Sequence, residues 1–238
     1  MILTKEQIHD IREKQSLPRV VTDKTITTYI GSSDDISYAL YTLTPASTTW
    51  IYSNPCNESN YVEKYYIIAG SLKIVYWNEH KILRPGDLLD LVMLNTLITC
   101  HAKEEVHILI EMTKKYFTQN FLERGIIHRD ALRIQEVDGY TYHHCARIRD
   151  YSIELWKRLN PNKVGVRRLF LGSYFHDIGK LAIPIEILNK PGKLTEDEWK
   201  IVKMHTTLGA EMMRNHEISC IREAAFIVEQ HHERYDGK

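Results

Sequence analysis

Between Phe175 and His205 the chain reads F-H-D-I-G-K-L-A-I-P-I-E-I-L-N-K-P-G-K-L-T-E-D-E-W-K-I-V-K-M-H, and its polar residues are of the types that hold metal ions and phosphate. His176 and Asp177 are adjacent. A neutral imidazole offers one nitrogen lone pair and a carboxylate offers two oxygens, enough to bridge two cations. Read as a helix, the stretch places Lys180 one turn beyond His176 on the same face, where an ammonium meets a phosphate oxygen beside a metal. Gly179 leaves backbone room there. Asp177 and Lys180 are the candidate catalytic residues.

The surrounding elements must bring further ligands to this pair. Pro184 is expected to end the first helix, Pro191-Gly192 to turn the chain, and Thr195-Glu196-Asp197-Glu198 to form a capping box opening the helix that carries His205. On that helix His205 shares a stripe with Val202, Leu208 and Met212, so it faces inward. The last helix gives Ile221, Ala224, Val228 and His231, with Ala225, Val228 and His232 as a neighbouring row; both tandem histidines border the core. Upstream, His144 shares a stripe with Ile148, Tyr151 and Leu155, whereas His143 falls beside Arg147. Leu169, Gly172 and His176 continue the pattern. One core histidine bonded to a backbone carbonyl is ordinary. Four helices turning histidines toward one interior, beside an Asp, point to a shared site, because each buried ring nitrogen needs a partner.

At this point the residues resemble a family. His144, His176-Asp177-Ile178-Gly179-Lys180, Ile183-Pro184, Ile187-Leu188, Lys190-Pro191-Gly192, Leu194-Thr195, His205-Thr206, Gly209-Ala210 and His231-His232-Glu233-Arg234 through Asp236-Gly237 are similar to the HD-GYP branch of the HD-domain phosphohydrolases, over about residues 128 to 238. The resemblance implies an all-helical fold, a binuclear or trinuclear metal centre and hydrolysis of the bacterial second messenger cyclic di-GMP. It assigns metal ligation to His144, His176, Asp177, His205, His231 and His232, and phosphate contact to Lys180. Some family members carry a Glu ligand four residues before the first histidine; Tyr140 stands here, which favours two metals over three. The family pattern continues as D-G-x-G-Y-P with a later Asp ligand, whereas this sequence reads Asp236-Gly237-Lys238 and stops, so the resemblance implies an HD-GYP-like domain incomplete at its C-terminus. Mixed imidazole and carboxylate ligation suits two divalent transition-metal ions drawn from iron, manganese, nickel or zinc. The competing readings are a catalytically incomplete HD-type module that signals or binds a nucleotide, and an HD phosphohydrolase acting on another nucleotide phosphate ester.

Composition narrows the classes. Lys plus Arg equals Asp plus Glu at 31 each in 238 residues, a neutral balance that argues against a nucleic-acid polymer or a membrane surface as partner. Cys56, Cys100, Cys145 and Cys220 are far apart and form no C-x-x-C pair, which fits a reducing cytoplasm rather than a disulfide framework. The N-terminus is charged where a signal peptide needs an apolar core, and the most apolar run, Leu88 to Ile98, is interrupted by Asp90 and Asn95. A cytoplasmic protein is expected.

The sequence predicts an α+β chain of two domains. Residues 1–19 read as a short amphipathic helix, with Thr4 as N-cap and Ile8 and Ile11 on one side. Residues 20–113 read as an all-β barrel: T-I-T-T-Y-I, S-Y-A-L-Y-T-L, T-T-W-I-Y, V-E-K-Y-Y-I-I, L-K-I-V-Y-W and V-H-I-L-I-E-M are separated by turn compositions at antiparallel spacing. Tyr66 to Val75 followed by Leu83-Arg84-Pro85-Gly86-Asp87 is similar to the hairpin and turn of the cupin barrel. Glu63 keeps the spacing of a cupin metal ligand to Gly70, but no histidine lies between His9 and His80, so Glu63 reads as a solvated or hydrogen-bonded strand residue. The barrel is expected to serve sensing or dimerisation without a metal, its aromatics Tyr52, Tyr61, Tyr65, Tyr66 and Trp77 serving mainly packing. Residues 114–127 read as a helical linker, with Gly125 as the break before the second domain, and 128–238 as the helical phosphohydrolase domain. A homodimer through the barrel or linker is a further expectation.

Overall fold

The computed structural model describes residues 5–14, 16–22, 24–52, 61–76, 79–91, 97–138, 142–159 and 165–236. The chain divides into two compact units, residues 1–125 and 126–238.

The first unit opens with α1 (Lys5–Glu13), whose Ile8 is buried, and whose C-terminal carbonyls of Ile11 and Lys14 accept from the Arg19 guanidinium at 3.0 Å each. Thr4 lies outside the described residues. Among the described residues ten strands follow: β1 (Arg19–Val21), β2 (Thr25–Ser33), β3 (Ile36–Leu43), β4 (Ser47–Tyr52), β5 (Glu63–Ala69), β6 (Leu72–Tyr76), β7 (Glu79–Leu83), β8 (Leu88–Asp90), β9 (Leu97–Ala102) and β10 (Val106–Thr113). They form two antiparallel sheets, ordered β1-β2-β3-β10-β5-β8 and β4-β9-β6-β7. The expected alternation is visible on β5, where Glu63, Tyr65 and Ile67 are buried between less buried neighbours. Inward rows from both sheets, including Leu43, Ile51, Ile67, Leu72, Ile74, Ile98 and Ile108, close one apolar core.

The strands that the sequence reading did not mark have physical reasons for their silence. β7 is E-H-K-I-L at a sheet edge, with only Leu83 buried, so it carries no period of two. β1 and β8 have three residues each, and β9 completes the run that read as one apolar stretch. The Pro85-Gly86 turn forms as expected: Gly86 adopts a φ of +96°, and the Arg84 N–H donates to Asp87 Oδ2 at 2.8 Å. Glu63 is 1% exposed and accepts from Tyr61 Oη at 2.6 Å and Tyr65 Oη at 3.2 Å, the hydrogen-bonded alternative for that residue. The side chains of Tyr52 and Trp77 lie outside the described residues.

α2 (Lys114–Asp138) runs as one helix through Gly125, where a break was expected. The glycine costs a helix about 1 kcal/mol, too little to stop one with apolar anchors before it at Phe117 and Phe121 and after it at Ala131 and Ile134. The remaining elements are α3 (Tyr142–Leu159), α4 (Val166–Tyr174), a 3₁₀ turn (Ile178–Ala182), α5 (Ile185–Leu188), α6 (Glu196–Lys203), α7 (His205–Arg214), α8 (Ser219–Arg222) and α9 (Ala225–Gln230). Leu171, Phe175, Ile178, Ala210, Met213, Ile221, Ala224 and Val228 form their core. No helix among the described residues is long and apolar enough to cross a membrane.

Three local expectations are corrected. The stripe Ile148, Tyr151, Leu155 on α3 does not face inward: Tyr151 and Leu155 are 71% and 58% exposed, while Arg149 and Ile153 are buried. Arg149 takes the inner face because its guanidinium lies 5.1 Å from the Phe170 ring and 5.2 Å from the Tyr174 ring and pairs with Asp150 at 2.9 Å. The helix carrying the His-Asp pair does not run to Pro184. It ends at Tyr174, where the Ser173 hydroxyl donates back to the Leu169 carbonyl at 2.6 Å, and Ile178 N–H to Phe175 O and Lys180 N–H to Asp177 O then follow the tighter i to i+3 pattern. The helix after Pro191 is two helices, parted at Met204, whose N–H donates to Ile201 O at 3.0 Å. This re-aims α7, so its buried row is His205, Gly209 and Met213 rather than His205, Leu208 and Met212.

The capping box of α6 is complete: Glu198 N–H donates to Thr195 Oγ1 at 3.2 Å, and Thr195 N–H donates to Glu198 Oε2 at 2.7 Å. Lys190 also donates to both Glu198 oxygens, and these hydrogen bonds hold the exposed carboxyl below the usual carboxylate range. Thr195→Ala removes one of the box's two bonds and should lower stability by about 1 kcal/mol, read as a shift in the chemical-denaturation midpoint of the helical signal. No shift would mean that the Lys190 contact alone holds α6.

Candidate metal centre

Three histidines are braced in the same way. The His176 Nδ1–H donates to the Ser173 carbonyl at 2.9 Å, the His205 Nδ1–H to Val202 at 2.7 Å, and the His231 Nδ1–H to Val228 at 2.7 Å. In each case the carbonyl lies three residues earlier, in the last turn of a helix. A carbonyl only accepts, so Nδ1 carries a proton in each, and each ring turns its Nε2 away from its own helix.

Those nitrogens converge on Asp177. Its Oδ1 lies 3.4 Å from His205 Nε2 and 3.7 Å from His231 Nε2. Its Oδ2 lies 3.0 Å from His176 Nε2 and 3.1 Å from Lys180 Nζ. The His205 and His231 Nε2 atoms are 3.4 Å apart. His232, exposed at the rim, has its ring 4.1 Å from that of His231 and 5.2 Å from that of His205, and the His144 ring is 5.8 Å from that of His176. All six residues expected as ligands are therefore brought together. They form two groups, Asp177 with His205, His231 and His232, and Asp177 with His144 and His176, in each of which ligand atoms lie within 4.8 Å of one another. Asp177 belongs to both.

Burial opposes the charge of Asp177, but the neighbouring His176, His231 and Lys180 hold its carboxyl far below the usual range. Burial lowers His205, and burial together with the neighbouring His231 and His205 lowers His232, so both favour the neutral ring. Burial also works against the His176 cation; there the Asp177 hydrogen bond and charge win, and its pKa is raised. The donor set thus combines one ionised carboxylate with imidazoles whose Nε2 atoms point at the same space. Lone pairs facing one another at 3.4 Å repel unless something positive lies between them, and burial disfavours adding several protons. Divalent cations of the imidazole- and carboxylate-binding class fit such a set.

Lys180 does not stand a helical turn beyond His176, as a continuous helix would place it. The 3₁₀ turn puts it three residues after Asp177 on the same side, and its ammonium meets the carboxylate directly. Two features had no signal in the side-chain pattern. The bracing carbonyls of Ser173, Val202 and Val228 belong to the backbone and are fixed only once the helix ends are. Gly209 packs against Gly179, so close that a Cβ on Gly209 would lie 2.9 Å from Gly179 N. Tyr140 and the side chain of His143 lie outside the described residues.

Comparison with known proteins places this geometry. Residues 130–238 match the family model described as HD domain. The chain is 37% identical over 115 residues to the cyclic di-GMP phosphodiesterase response regulator RpfG of Xanthomonas campestris, covering 48% of this chain and 30% of that protein. It is 39% identical over 117 residues to a cyclic di-GMP phosphodiesterase of Pseudomonas aeruginosa, covering 46% of this chain and 27% of the relative. A 3'3'-cGAMP-specific phosphodiesterase of Vibrio cholerae is 35% identical over 128 residues, 51% of this chain and 28% of the relative. The chain thus spans less than a third of the length of each of these relatives. Among solved structures, ectoine synthase from P. lautus overlaps 48% of this chain and 78% of its own, at 17% identity and a TM-score of 0.36. A cupin domain of a transcriptional regulator from Enterobacter cloacae overlaps 38% and 97%, at 16% identity and a TM-score of 0.31. The match to the HD domain thus covers the helical part of this chain, residues 130–238, just under half of its length.

Proposed function

We propose that the helical unit is a metal-dependent phosphodiesterase that hydrolyses cyclic di-GMP, with the β-rich unit as its regulatory partner. The observation that carries the reading is the convergence of braced imidazole nitrogens on one ionised carboxylate, Asp177. His144, His176 and Asp177 would hold one divalent transition-metal ion, and Asp177, His205, His231 and His232 a second. Bound there, such ions lower the pKa of a coordinated water and neutralise charge on phosphoryl oxygens. The substrate class comes from the relatives, of which the two at 37% and 39% identity are cyclic di-GMP phosphodiesterases.

The chain's own residues supply the rest. The Nδ1–H to carbonyl braces keep His176, His205 and His231 in one tautomer and one orientation, so no reorganisation is needed when a ligand arrives. Asp177 stays ionised throughout the neutral range and offers its two oxygens in two directions. Lys180, whose side chain is 15% exposed, sits at the edge of this cluster and would neutralise a phosphate oxygen as negative charge builds on it.

The test is hydrolysis by the metal-loaded full chain, comparing cyclic di-GMP, 3'3'-cGAMP and a simple phosphodiester ester. Turnover of cyclic di-GMP at least about tenfold faster than of the other two is expected, a preference of roughly 1.4 kcal/mol. A preference for 3'3'-cGAMP or the simple ester would overturn the substrate assignment. Stoichiometric metal uptake without hydrolysis of any of the three would overturn the enzymatic reading in favour of a binding module.

A further inference from the structure

We infer that the two halves of this centre load unequally, and that Lys180 sets the order: the Asp177–His205–His231–His232 group takes a divalent ion first, and the His144–His176–Asp177 group takes one only by competing with the Lys180 ammonium. The inference rests on the metal reading above and concerns how the site fills.

Two independent features of the geometry lead there. The first is donor number. Among the described residues one group offers four protein ligand atoms and the other three, with Asp177 common to both. Four protein donors close a tetrahedral site, so this group can hold an ion by itself.

The second feature is how the carboxylate is divided. Oδ1 faces His205 and His231 and lies toward the four-donor group. Oδ2 faces His176, and the same oxygen accepts from Lys180 Nζ at 3.1 Å. An ion entering between His176 and Oδ2 therefore meets an oxygen already holding a positive charge. The Lys180 side chain is 15% exposed and that of Asp177 9%, so bulk water screens the two like charges poorly. Lys180 acts as a resident monovalent cation at the three-donor half, and no matching ammonium is placed on Oδ1 among the described residues. Either the lysine withdraws or the second ion binds weakly. Groups hydrogen-bonded to a metal's ligand typically change its affinity about 10- to 100-fold, which sets the size of the expected effect.

The experiment titrates Mn²⁺ into the metal-free full chain, with calorimetry for affinity and electron paramagnetic resonance for the number and coupling of bound ions. The wild type should bind one equivalent at least about tenfold more tightly than the second. Lys180→Met should tighten the second step about tenfold or more and change the first less, so the gap narrows; Lys180→Arg, which keeps the charge, should preserve it. His232→Ala, at an exposed rim position, should weaken the first step, whereas His144→Ala should remove the second and leave the first. Circular dichroism of each metal-free variant separates misfolding from lost affinity. Two equal steps in the wild type, or an unchanged gap in Lys180→Met, would overturn this inference while leaving the two-ion reading intact. Absence of stoichiometric Mn²⁺ or Zn²⁺ binding by the folded wild type would instead overturn the metal reading itself.

Discussion

Asp177→Ala should bring metal uptake of the helical unit down from two equivalents to less than one, and lower cyclic di-GMP hydrolysis by about a thousandfold or more. It is the one residue common to both ligand groups, and each of its oxygens serves a different half. Removing it takes a donor from both ions at once and leaves imidazole lone pairs facing one another across a buried space with no negative charge to offset a cation. Loss of two-ion stabilisation of a phosphoryl transition state is worth several kcal/mol, and each 1.4 kcal/mol is about tenfold in rate. Asp177→Asn should fall nearly as far, because the shape survives and the charge does not. The measurements are metal content after dialysis and initial rates under saturating metal. A variant that keeps two ions and more than about a tenth of the wild-type rate would mean that the bridge is made elsewhere.

That the candidate residues would meet was legible in the sequence because it depends on residue type and coarse helical phase. His176 beside Asp177, an inward His205, and His231-His232 at the end of an apolar row need only be roughly placed for their side chains to meet. What was illegible is finer than a helical turn. Whether Lys180 stands on a helix or a 3₁₀ turn decides which group it touches, and that depends on the Ser173 hydroxyl and the backbone bonds around Phe175. The phase of α3 was misread because Tyr151 and Leu155 face solvent, while a charged residue, Arg149, is buried against Phe170 and Tyr174; binary patterning assigns those positions the other way round. In the β-rich unit the strands with a clean period of two were legible, and the edge strand β7 was not, since an exposed edge has no apolar row to repeat. The joint between the units was placed at Gly125 on composition, yet α2 continues through it because packing on either side outweighs one weak propensity.

Gly179 tests how much of the centre depends on backbone proximity rather than on ligands. A Cβ there would overlap the His205 carbonyl oxygen and lie 2.6 Å from Gly209 N and 2.7 Å from the His205 carbonyl carbon. All three are backbone atoms, which cannot rotate aside as a side chain does, so the 3₁₀ turn and α7 must separate. These are the elements that present Asp177 and His205, whose Oδ1 and Nε2 are 3.4 Å apart. Gly179→Ala should therefore cost about 3 kcal/mol in stability, the upper range for overpacking, and weaken the four-donor group at least about tenfold without changing any ligand. Gly209→Ala presses on the same contact from the other helix, its Cβ 2.9 Å from Gly179 N and from Val228 Cγ1, and should show the same pair of effects in smaller measure because the valine can yield. Gly192→Ala is the contrast: its φ of +127° makes a side chain strained, but no atom lies within 4 Å of the added Cβ, so the cost of about 1 to 3 kcal/mol should leave metal affinity unchanged. Thermal unfolding followed by circular dichroism, with Mn²⁺ titration of each folded variant, separates the two behaviours. If Gly179→Ala destabilises the fold yet binds Mn²⁺ as tightly as wild type, the ligands find one another without this contact, and the close approach of the two glycines serves packing alone.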